Sequence, residues 1–194
     1  MNTTFDALIE QAVAASQAAR WSEASTLLSA AAKLRPEAPE PYYLRAVNYA
    51  ETGDIAAAEA EFSTCLALAP QLAIARFQFG LLYATTGRPD AACSVWEPLL
   101  ATRHPFSWFA RAMLAILHGG RADAEAWIRK GLDANHENAP LNADMLALLE
   151  KLAQLDGTHP APDRPSTQIE SARDDMPAEQ DSSTHLLIAS YTQR

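Results

Sequence analysis

The chain has 194 residues, 48% of them apolar, and a formal charge of −9, which allows one ordinary core with an added tail. The charge divides into −5 over residues 1–155 (12 basic, 17 acidic) and −4 over residues 156–194 (3 basic, 7 acidic). Neither part offers a basic face, which argues against nucleic acid or anionic lipid as a partner.

The N-terminal MNTTFDALIEQ lacks a basic region followed by an apolar one, and no run approaches the roughly 18 apolar residues that a membrane helix needs. A cytoplasmic protein without membrane insertion is the expectation. Cys65 and Cys93 fall in Ala-rich helical patterns, where a thiol behaves as a small apolar side chain.

The dominant signal is a period of 34: Ala24, Ala58 and Ala92 share it, as do Tyr49 and Tyr83, Gly53 and Gly87, Pro36 and Pro70, and the large residues Leu28, Phe62 and Trp96. Within each period apolar residues recur at three and four, and turn signals divide the period in two: TGD at 52–54, TGRPD at 86–90 and HGGRAD at 118–123. That pattern predicts two amphipathic helices per unit. Glycine at the turn supplies a left-handed backbone, and the alanines let paired helices approach.

In chain order the units are residues 5–38, 39–72, 73–104 and 105–138. The first carries Ala12, Ala24, Leu28, Ala31 and Pro36, but Ala19 stands where the turn glycine belongs. The second carries Tyr42, Ala46, Tyr49, Gly53, Ala58, Phe62, Cys65 and Pro70, and the third Gly80, Tyr83, Gly87, Ala92 and Trp96. The fourth keeps Ala112, Gly119, Ala124, Ile128 and Gly131 after a connection about two residues shorter. Pro98, inside the third unit's second helix, predicts an early helix end or a kink. Pro140 followed by Met145, Leu146, Leu149 and Leu152 predicts a capping helix over about 140–154. Residues 156–184 hold four prolines, scattered charge and almost no large apolar side chain, the composition of a disordered acidic linker. Residues 185–194 then bring Leu186, Leu187, Ile188 and Tyr191, an apolar docking peptide on a flexible tail.

These residues closely resemble the tetratricopeptide repeat, a 34-residue helix pair with large, small, Tyr, Gly, Ala, aromatic, Ala and Pro at set positions. The resemblance implies an all-α fold, a right-handed solenoid of helix-turn-helix repeats over residues 1–155. It also implies that first helices line a concave groove, into which repeat residues five and nine point. Here those are Ile9 and Val13, Tyr43 and Val47, Phe77 and Leu81, and Phe109 and Met113, with Ile116 and Leu117 extending the surface. All are apolar, whereas the family's peptide-carboxylate clamp uses Lys, Arg and Asn there. Arg45 and Arg111 offer a cation to an acidic partner residue.

The expected partner is therefore another protein or peptide with apolar anchors, and a homodimer with grooves face to face is a further arrangement. The expected function is an adaptor or chaperone that binds an apolar segment in the groove, regulated by its own tail. The alternative is a structural or regulatory subunit of a bacterial assembly whose terminal peptide inserts into a partner. The repeat content is also similar to that of type III secretion chaperones. His104, His118, His136, His159 and His185 never pair at ligand spacing, and no phosphate-binding glycine loop or nucleophile with a base occurs. No catalytic residue, metal or cofactor is expected, and the chain does not read as an enzyme.

Overall fold

The computed structural model of the chain describes residues 4–156. Nine α-helices fill them, with no strand: α1 (Phe5–Gln17), α2 (Trp21–Leu34), α3 (Glu40–Glu51), α4 (Ile55–Leu68), α5 (Ala73–Thr85), α6 (Pro89–Leu100), α7 (Pro105–Leu117), α8 (Arg121–Ala134) and α9 (Ala139–Asp156). The linker and terminal peptide expected after Asp156 lie outside these residues.

Local rules place the helix ends. Gly53, Gly87 and Gly119 have φ of 78°, 74° and 72°, the left-handed region that glycine adopts without steric cost. In each turn the next N–H donates to the carbonyl five residues back: Asp54 to Tyr49 at 2.9 Å, Arg88 to Tyr83 at 2.9 Å and Gly120 to Ala115 at 2.8 Å. This is the Schellman closure, which satisfies carbonyls the helix end leaves open. The first turn keeps that geometry with Arg20 to Ala15 at 2.8 Å, which forces Ala19 to φ 54°. Second helices stop differently: Arg35 and Ala69 precede prolines and leave the helical region, at φ −137° and −134°, because a proline ring disfavours helical backbone in the residue before it.

Pro98 does not break α6. The helix continues to Leu100 and has 12 residues, against 14 in α2, α4 and α8. The ring removes one backbone bond within the last turn, so the cost falls where the helix is already ending. His104 then caps α7, its Nδ1 accepting from the Phe106 N–H at 3.3 Å. Burial lowers the His104 pKa, in keeping with a neutral ring that must accept.

Each pair packs internally (α1 on α2, α3 on α4, α5 on α6, α7 on α8), and each second helix packs on the next first helix, with α9 closing on α8. Columns at the repeat period form the core. Ala24, Ala58, Ala92 and Ala124 are fully buried, as are Leu28, Phe62, Trp96 and Ile128. One close crossing is in the third repeat. A Cβ on Gly80 would fall 2.1 Å from Trp96 Nε1, and that nitrogen donates to the Phe77 carbonyl at 2.9 Å. A Cβ on Gly131 would likewise meet the Phe109 ring at 2.3 Å. Sequence showed small residues at both positions, and the structure shows what each one accommodates.

The capping helix is joined through three asparagines. Asn135 Nδ2 donates to Asn142 Oδ1 at 2.8 Å, Asn142 Nδ2 returns a bond to the Asn135 carbonyl at 2.8 Å, and Asn138 Oδ1 accepts from the Leu141 N–H at 3.0 Å. They hold the α8–α9 turn where no proline stops α8.

Two substitutions test this account. Ala19→Gly relieves a left-handed residue that costs an L side chain about 1 kcal/mol, so thermal unfolding should move upward; an unchanged or lower Tm would place no strain there. Gly80→Ala overpacks the indole and should destabilise by about 1–3 kcal/mol, read from chemical denaturation at constant m.

Candidate functional site

The face to which the resemblance assigns ligand binding is built by α1, α3, α5 and α7. Six of its ten expected groove residues are buried: Tyr43 and Phe109 completely, Val47 and Phe77 almost so, and Leu81 and Met113 below a tenth. Ile9, Val13 and Ile116 are half-buried, and Leu117 keeps 38% of its surface. The reason is that first helices also pack on one another, α1 on α3 and α5 on α7.

Rings pack the buried set in two groups. Phe77 has Phe106, Trp96 and Phe109 around it, at centroid distances of 5.8, 6.2 and 6.3 Å. Tyr43 meets Phe62 edge-on at 6.3 Å, and Phe62 stacks on Phe79 at 5.4 Å. The Tyr43 hydroxyl donates to Gln78 Oε1 at 3.1 Å inside the core. Gln78 was invisible to periodicity because a polar residue sits in an otherwise apolar stretch. These side chains preorganise the face.

Arg45 and Arg111 are engaged within the fold. Arg45 pairs with Glu61 at 2.8 Å, reaches Ser29 at 3.3 Å and lies 5.2 Å over the Tyr42 ring. Arg111 donates to the Leu100 carbonyl at 2.8 Å and sits over Trp108 and Trp127. Those two indoles stack at 5.6 Å, nearly parallel, under Lys130 Nζ. Arg45–Glu61 and Arg111–Trp127 are each 16 residues apart, as are Gly80 and Trp96. This is the spacing at which a first helix meets its second, and it is a usable sequence signal.

Among the described residues no group of three or more His, Cys, Asp and Glu could hold a metal ion, and no helix is long and apolar enough to cross a membrane. The Cys65 thiol is pushed up to about 12, by burial first and then by Glu40 and Glu61, which leaves it protonated and unreactive.

The comparisons agree with this architecture. A tetratricopeptide repeat family model matches residues 39–72. Three solved structures share the fold. One is a tetratricopeptide repeat protein from Parabacteroides merdae ATCC 43184, with 16% identity and a TM-score of 0.60 over 80% of this chain and 61% of that one. Another is pilF of Pseudomonas aeruginosa, with 17% identity and a TM-score of 0.59 over 82% and 78%. The third is MamA, with 19% identity and a TM-score of 0.55 over 68% and 78%. No curated protein sequence matches significantly. Residues 39–72 thus match a tetratricopeptide repeat, and the described residues have the all-α solenoid fold of tetratricopeptide-repeat structures.

One titration follows from burial. Asp144 on α9 has its carboxyl pushed up to about 6 by desolvation, and its Oδ2 has no hydrogen-bond partner. A raised native pKa adds stability at low pH that is lost as pH rises through that value. Asp144→Asn should therefore melt above the wild type at pH 7.5, with the gap closing by pH 4. A gap that does not depend on pH would assign the cost to packing.

Proposed function

We propose that this chain is an adaptor or chaperone that holds an apolar protein segment along its first-helix face, and that its own residues 185–194 are one occupant. The observation that carries the reading is the makeup of that face: all ten positions are apolar, and Ile9, Val13, Ile116 and Leu117 keep surface beside a rigid aromatic set. Burying one Leu-sized anchor contributes about 1.5–3 kcal/mol. Three or four anchors exceed the ordering cost of a short peptide. Leu186, Leu187, Ile188 and Tyr191 have the matching chemistry. They lie some 30 residues past α9 in the sequence.

The test uses a labelled HLLIASYTQR peptide and the chain ended at residue 184. Saturable binding is expected, at least tenfold weaker after Val13→Asp with Leu117→Asp, and weaker to the full chain because its own tail competes. Without saturable binding to the shortened chain, the tail belongs to a second protein, and the subunit reading gains. Concentration-dependent dimerisation lost with the same two substitutions would assign the face to a second copy.

A further inference from the structure

The repeat contains its own control for a site at the α2–α3 junction. One period later, where α4 meets α5, Glu59 inserts a carboxylate between two donors. The Tyr83 hydroxyl donates to Oε2 at 3.2 Å, and Arg88 pairs with Oε1 at 2.7 Å. At the α2–α3 junction the residues in those columns are Ser25, Tyr49 and Asp54. The tyrosine is kept and the acid is gone.

In its place is a cleft of about 200 Å³, lined by Trp21, Ser25, Arg45, Asn48 and Tyr49 among others. Two buried donors of that lining, Asn48 Nδ2 and Arg45 Nε, have no hydrogen-bond partner. Asn48 is 5% exposed, and its column elsewhere holds Ala14, Leu82 and Leu114. Packing alone therefore asks for an apolar residue, and an unpaired buried amide is costly. Arg45 already shares its guanidinium with Glu61 through Nη2, which leaves Nε. Asp54 offers no substitute for Arg88, so the cation at this junction comes from Arg45.

We infer that this cleft is a binding site for a carboxylate on a short aliphatic stem, the side chain of a glutamate presented by a protein partner. One oxygen accepts from Asn48 Nδ2 and Arg45 Nε, the other from the Tyr49 hydroxyl, and the stem lies against the Trp21 indole. The site is on the edge that carries the intra-repeat turns, so it stands or falls independently of the first-helix face.

The test is a titration of the full-length, ¹⁵N-labelled chain with N-acetyl-glutamate amide, reading the Asn48 side-chain amide and the Arg45 Nε–H by NMR. Saturable shifts of both are expected, with the glutamine counterpart at least tenfold weaker. Ser25→Glu, which supplies the acid in cis, should abolish binding, and Ser25→Ala should retain it. Asn48→Leu, matching Leu82 and Leu114, should keep the fold and weaken binding at least tenfold when read at Arg45. Unmoved Asn48 and Arg45 signals, equal binding of the glutamine compound, or undiminished binding by Ser25→Glu would each overturn the assignment.

Discussion

The contact on which the rest of the architecture depends is the crossing of a small residue on one helix with a large one on its partner. It is clearest where Trp96 lies over Gly80 and donates its indole N–H to the Phe77 carbonyl. A core at crystal-like density cannot absorb an added methyl without movement, so volume is exchanged along the columns. The sequence sets Ala46 with the smaller Phe62 in the columns where Gly80 meets the larger Trp96, and in the fourth repeat Phe109 lies at Gly131. A small residue at such a crossing lets the paired helices approach closely.

That spacing decides what the first helices can do. Because α5 packs on α7 and α1 on α3, the side chains at repeat positions five and nine serve the core as well as the face. Tyr43 packs in one ring cluster with Phe62 and Phe79, and Phe77 and Phe109 pack in another with Trp96 and Phe106. A binding face held this way costs little to order when a ligand arrives. What this face offers is a rigid edge of partly covered aliphatic side chains more than a deep aromatic trough.

Polar groups inside the array set its register. Tyr43 with Gln78 ties the second repeat to the third, Arg45 with Glu61 ties α3 to α4, and the three asparagines tie α8 to the cap. Each is satisfied by a residue a different distance along the chain, so none of these ties tolerates a slip of the stack. Asn48 Nδ2 and Arg45 Nε are among the buried groups that the fold leaves unpaired, and they share one cleft.

The sequence by itself determined the repeat, the helix pairs, the turns and the small-to-large columns. These follow from local rules: glycine where φ must be positive, proline after a helix end, alanine where helices cross. It also foretold that the face lacks charge. Only the tertiary structure decided that six of the ten expected groove residues are buried, that Ala19 takes the strained turn conformation, that α6 runs past Pro98, and that Arg45 and Arg111 are engaged internally. The physical reason is that a period of 34 shows which residues share a column. How much of each side chain its neighbours cover depends on the angle between successive repeats, which is set by the summed volumes of side chains 16 to 35 residues apart.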